Sequence, residues 1–177
     1  YLYQAQTELV FELFVEMLSV NIELNEVTFI TMIKACLSPE FLVDGRQIHS
    51  YIVESKVESF LYLGNSLIDM YSRCRSIEDA QQVFKQMPKS DLVTWNVMIA
   101  GYTASQLNEE ALRLFQQMAS RCLKPDELTF FSLLKACAGL GSLKEANGIH
   151  ALIKRHGLPM TELLGNALVD MYAKCGS

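Results

Sequence analysis

Asparagine recurs at Asn65, Asn96 and Asn166, and aspartate at Asp91 and Asp126. An amide carries one acceptor oxygen and two N–H donors, whereas an ionised carboxylate only accepts. A carboxylate that takes one amide hydrogen fixes which way the amide points. The pair then offers a set donor–acceptor order to any planar polar edge laid against it. An asparagine early in a helix can also simply cap it or bond a neighbouring turn. Both readings stay open from these residues alone.

Other residue types able to do chemistry form no working constellation. The five cysteines are Cys36, Cys74, Cys122, Cys137 and Cys175, and none forms a C-x-x-C pair. Zinc-ribbon spacing is therefore missing, and small buried cysteines at helix contacts are expected instead. An odd count without paired spacing suggests a reducing compartment. His49 and His150 sit in apolar stretches and read as satisfied interface histidines; His156 reads as a surface residue. The chain has no Gly-rich phosphate loop, no nucleophile elbow and no H-x-E with P-C-x-x-C. It is therefore expected to hold no catalytic residues, no metal site and no cofactor.

The elements that position the Asn and Asp residues follow from self-similarity. At an offset of 101 residues the sequence aligns with itself without a gap, and about 25 of 76 overlapping positions are identical. Chance gives roughly one in sixteen at ordinary composition. Lys34-Ala35-Cys36 falls on Lys135-Ala136-Cys137, Leu63-Gly64-Asn65 on Leu164-Gly165-Asn166, and Asp69-Met70-Tyr71 on Asp170-Met171-Tyr172. Within that period, Ala80-x-x-x-Phe84 returns as Ala111-x-x-x-Phe115, and Glu-x-Thr-Phe opens units at Glu26 and Glu127. The fitting cuts are 26–60, 61–91, 92–126 and 127–161, with partial units at 1–25 and 162–177. Units of 35, 31 and 35 residues recover the long period. Tyr1 is not a Met and the C-terminus stops inside a unit, so the chain is expected to be part of a longer one.

Each unit predicts two helices. In 92–126 the first carries Val93, Val97, Ile99, Ala100 and Tyr102, with Trp95 and Met98 making it apolar on several sides. Asn108 is the expected N-cap of the second, whose stripe is Ala111, Leu112, Leu114, Phe115 and Met118. Ser76-x-x-Asp79 and Ser142-x-x-Glu145 predict capping boxes, Pro88 and Pro125 lie in exit loops, and Gly157 fits a C′ glycine. Two-helix units of this size cannot bury their apolar faces alone and must stack. The expected fold is an all-α, right-handed α-solenoid of helix-turn-helix repeats. No apolar window is long enough to predict a membrane span.

These signatures resemble pentatricopeptide repeat proteins, and more narrowly the plant subclass of alternating P, L and S repeats. The segment Asp91-Leu-Val-Thr-Trp-Asn-Val-Met-Ile-Ala-Gly-Tyr102 resembles a P-type opening. Lys135-Ala-Cys-Ala-Gly-Leu-Gly-Ser-Leu143 with Ile149-His150 resembles an L-type repeat, and 165–177 an S-type repeat. By that resemblance, 1–25 and 92–126 are P-type, 26–60 and 127–161 L-type, and 61–91 and 162–177 S-type. The competing reading is a tetratricopeptide-like protein-binding scaffold, whose constant 34-residue step fits the alternating lengths poorly.

The resemblance implies single-stranded RNA as partner, one base per repeat, read by the fifth and last residue of each unit. Those residues are Asn65 with Asp91, and Asn96 with Asp126; Asn25 and Asn166 belong to incomplete pairs. An Asn/Asp pair implies uridine over cytidine. Val93 and Tyr62, at second positions, would pack on base faces. In the L-type units Ile30 with Phe60, and Phe131 with Thr161, cannot read a polar edge, and such repeats can hold organellar editing-factor proteins. The implied role is locating C-to-U editing sites in a chloroplast or mitochondrion, with RNA processing or stabilisation without editing as the alternative. The net charge of −5 opposes phosphate-driven binding.

Overall fold

The computed structural model describes residues 2–20, 22–55 and 60–176. Tyr1 and Asn21 of the partial unit 1–25, residues 56–59 of 26–60, and Ser177 of the last unit lie outside the described residues. Among the described residues there are ten α-helices and no strand. They fall in two compact units, residues 1–89 and 90–177.

The first unit holds α1 (Leu2–Ser19), α2 (Glu26–Ala35), a single 3-10 turn (Pro39–Phe41), α3 (Leu42–Ser55), α4 (Phe60–Arg73) and α5 (Ile77–Gln86). Helix α2 packs on α4, and α1, α3 and α5 pack against this pair. Phe29, Ile33, Ile48, Leu63, Leu67 and Ile68 are buried at these contacts. Each such side chain contributes roughly 1.5–3 kcal/mol on leaving water. Ala80, first residue of the Ala-x-x-x-Phe motif, is fully buried in α5, where a small side chain lets that helix approach α4.

The second unit holds α6 (Leu92–Ala104), α7 (Asn108–Ser120), α8 (Glu127–Leu140), α9 (Leu143–Arg155) and α10 (Glu162–Lys174). Helices α6, α8 and α10 lie side by side, with α7 and α9 packed against them. Helix α6 is covered by both α7 and α8, which is why its sequence is apolar on several sides. Trp95, Met98 and Ile99 are buried there, and the Trp95 indole donates to Ser90 Oγ at 3.2 Å. Gly157 follows α9 in the left-handed conformation (φ 65°), as its sequence position predicts.

Three local expectations are corrected. Asn108 is the first residue of α7, not its N-cap; Leu107 holds that place without a side-chain bond. The Asn108 amide instead lies over Gly139 of α8, so close that a Cβ there would sit 2.4 Å from Nδ2. Ser76 does occupy the N-cap of α5, but its hydroxyl bonds Asp79 Oδ2 at 2.7 Å instead of a backbone N–H. Asp79 in turn takes Arg46 at 2.8 Å, so one carboxylate oxygen is shared between the Ser76 hydroxyl and the guanidinium. Cys122 is exposed, at a φ of 58° in the turn after α7, and not at a helix contact.

Candidate nucleic-acid interface

The first helix of each repeat unit carries the predicted second and fifth positions. These are α2, α4, α6, α8 and α10. Residues spaced by three, seven and eleven share one face of a helix. The second positions are Val27, Tyr62, Val93, Leu128 and Leu163, and all five are exposed, at 37–71% of their full area. An apolar side chain thus stands in water at the same place on each of the five helices. Tyr62 and Val93 are therefore accessible as the sequence reading requires. Val27, Leu128 and Leu163 were missed, although counting two residues into each unit finds them.

The aspartates have a second occupation that sequence reasoning overlooked. Asp91 is the N-cap of α6, and its carboxylate accepts from Thr94 N at 2.9 Å. Asp126 is the N-cap of α8 and accepts from Thr129 N at 2.9 Å. Both form complete capping boxes in which the Thr hydroxyl takes the cap N–H. Asn25 caps α2 through Thr28 N at 3.1 Å, and Thr161 caps α10 through Leu164 N. The residue closing one unit is thus the one that starts the next helix. The sequence signal is a Thr three residues on: Asn25/Thr28, Asp91/Thr94 and Asp126/Thr129.

The asparagines at fifth positions do not cap. They lie one turn inside their helices. Asn96 is 9% exposed, and its Nδ2 donates to Asp126 Oδ1 at 2.9 Å. Its Oδ1 faces the Thr129 hydroxyl at 2.6 Å. That hydroxyl has one proton and two acceptors in reach, Asn96 Oδ1 and Asp126 Oδ1, the latter at 2.8 Å. Because the carboxylate can only accept, the amide nitrogen must face it, and the amide orientation follows. One N–H and one lone pair of Asn96 remain for an outside partner.

Asn65 is half-buried, and its Oδ1 is a buried oxygen with no hydrogen-bond partner. An unmet buried acceptor of this kind costs about 1–3 kcal/mol. Asn166, in α10, is exposed. At the fifth positions of 26–60 and 127–161, Ile30 and Phe131 are half-buried and offer no polar atom. The Lys135 ammonium sits 4.9 Å from the centre of the Phe131 ring.

The histidines and the buried cysteines make packing contacts. His49 Nδ1 pairs with Tyr71 Oη at 3.0 Å, and His150 Nδ1 with Tyr172 Oη at 2.9 Å. Tyr172 donates onward to Asn147 Oδ1 at 3.0 Å, so His150 donates to the phenol. Burial lowers the pKa of both imidazoles. Burial likewise pushes the Tyr71 phenol and the Cys36 and Cys137 thiols up to about 12. Cys74 Sγ donates to Cys36 O at 3.0 Å, and Cys175 Sγ lies 3.7 Å from Cys137 O, a repeat-equivalent pair. His156 is exposed, with its ring 5.6 Å from that of Phe130. Among the described residues no three His, Cys, Asp or Glu side chains converge as metal ligands, and no helix is long and apolar enough to cross a membrane.

Comparison with known proteins agrees with this architecture. Residues 90–139 match the PPR repeat family and residues 65–92 the PPR repeat. The chain is 35% identical over 176 residues to a mitochondrial pentatricopeptide repeat-containing protein of Arabidopsis thaliana, covering 99% of this chain and 17% of that protein. It is 39% identical over 168 residues to a chloroplastic one from the same plant, covering 95% and 28%. It thus spans well under a third of the length of these relatives. The maize pentatricopeptide repeat protein PPR10, in a crystal structure with an 18-nt psaJ RNA element, superposes with a TM-score of 0.77 at 25% identity, covering 91% of this chain and 24% of that one. The chain belongs to the pentatricopeptide repeat (PPR) family.

Proposed function

We propose that this chain binds single-stranded RNA as a non-enzymatic scaffold, one base per repeat, and that it is of the alternating P-L-S type. The observation that carries the reading is the Asn96–Asp126–Thr129 network. It orients one amide and leaves it one donor and one acceptor, beside the exposed Val93. Uracil offers an N–H flanked by two carbonyls, so Asn96 Oδ1 takes N3–H while its free N–H meets a carbonyl. Val93 covers the base face. The unit 61–91 repeats the residue types, with Asn65 and Asp91 for the edge and Tyr62 for the face. Uridine is favoured at both units. Cytosine presents a neighbouring donor and acceptor too, so its exclusion is modest.

The PPR10–RNA complex supports RNA as the ligand class. Relatives named mitochondrial or chloroplastic support an organellar home. Within the longer protein, the array locates sites for C-to-U editing, and the L-type units at 26–60 and 127–161, which read no base, also offer a surface to editing-factor proteins. The test is fluorescence anisotropy of the full chain with short RNAs that carry uridine or adenosine opposite units 61–91 and 92–126. Tighter binding of the uridine RNA is expected. Equal binding removes base reading, and no binding to either RNA favours the protein-scaffold reading. Asn96→Thr with Asp126 kept moves that position toward guanine by family analogy; an unchanged preference means that Asn96 does not meet the base.

A further inference from the structure

The same helical face extends beyond the second and fifth positions to the ninth, one turn after the fifth. Its occupants follow the unit type. In the two L-type units it is lysine: Lys34 in α2 and Lys135 in α8, both exposed. In the S-type units it is aspartate, and each aspartate is neutralised one turn on. Asp69 is bound by Arg73 at 2.9 Å, and Asp170 by Lys174 at 2.8 Å. In unit 92–126 it is Ala100. Among the described residues no ion pair involves Lys34 or Lys135. The uncompensated cations of this face therefore stand where the fifth residue cannot read a base. Lys135 is held at that level, with its ammonium 4.9 Å from the centre of the Phe131 ring.

We propose that Lys34 and Lys135 are backbone-phosphate contacts for the single strand, so that the L-type units grip the chain without reading it. The inference rests on the RNA-binding reading above and supplies what that reading lacks. A chain of net charge −5 needs local cations to hold a polyanion. An apolar fifth residue accepts any base face, and the ammonium one turn away pairs with the phosphodiester beside it. Sequence discrimination then comes from units 61–91 and 92–126, and salt-dependent affinity from 26–60 and 127–161.

The test is anisotropy of the full chain against uridine and adenosine RNAs over a salt series. Each phosphate contact on a single strand contributes about 0.7 to the slope of log K against log salt. Lys34→Gln with Lys135→Gln should lower the slope by about 1.4 and weaken both RNAs by the same factor, leaving the uridine preference intact. Lys135→Arg should restore the slope lost in Lys135→Gln. Lys144→Gln, on the second helix α9, makes the same change in net charge as Lys135→Gln alone and, unlike it, should leave the slope unchanged. An unchanged slope in the double variant overturns the proposal and leaves these lysines to a protein partner. A slope lowered equally by Lys144→Gln also overturns it, because bulk charge then explains the effect. A wild-type chain that binds no RNA at low salt fails the RNA-binding reading itself.

Discussion

Replacing Asp126 separates its two roles. Its carboxylate caps α8 through Thr129 N at 2.9 Å and orients Asn96 through Nδ2 at 2.9 Å. Asp126→Ala removes both. Loss of an N-cap costs about 1 kcal/mol. Leaving the buried Asn96 amide hydrogen unmatched adds about 1–3 kcal/mol, nearer the lower end where water can reach the site. The sum is about 2–3 kcal/mol. For a chain of this length each kcal/mol lowers Tm by about 2–4 °C, so a drop of about 4–12 °C is expected. Asp126→Ser keeps a capping hydroxyl but is too short to reach Asn96. It should recover the cap share, about 1 kcal/mol of the loss, while the uridine preference disappears in both variants. Thermal unfolding followed by far-UV circular dichroism, with anisotropy on uridine and adenosine RNAs, reads the two effects apart. The reasoning is refuted if Asp126→Ser is as unstable as Asp126→Ala, or if it keeps full uridine preference.

Two further outcomes follow from the buried groups. With thiol reagent at neutral pH, exposed Cys122 should label first, while Cys36 and Cys137, whose thiols burial pushes up to about 12, should label only on unfolding; fast labelling of either contradicts the packing. Burial lowers the His49 pKa below the ordinary 6.5, so the unfolded chain takes up this proton first. Stability from this site is complete above pH 6.5 and falls as the pH drops through that value toward the folded pKa. His49→Gln should therefore show a flatter loss of stability between about pH 7 and 5 in urea titrations, and an unchanged slope would mean that the ring is not held neutral.

Helix pairing and the recurrence of Asn and Asp were legible because each is a local pattern multiplied by repetition. The Ala-x-x-x-Phe stretches at Ala80 and Ala111 mark helices because a small residue at a close crossing leaves a periodic trace, and both alanines are fully buried. What stayed hidden depends on distances between units. Asp126 read as a base-reading residue, but its capping of α8 shows only when the junction of two units is treated as a helix start. Asn108 has a good cap residue type, yet the space over Gly139 claims its side chain. The Ser76 hydroxyl bonds the Asp79 carboxylate, which also holds Arg46 from 33 residues upstream, and makes no side-chain cap. The burial of Asn96 could not be read either, since it depends on Thr129 from the next unit.

The central claim is that the Asn96 side-chain amide meets a base. Its most direct measurement is the 15N-resolved spectrum of the full chain, with the Asn96 NH2 pair identified by its absence in Asn96→Ala. On titration with a uridine RNA those two signals should move in saturable fashion, and an adenosine RNA of equal length should move them less. Binding to the uridine RNA with the Asn96 amide signals unmoved would contradict the account.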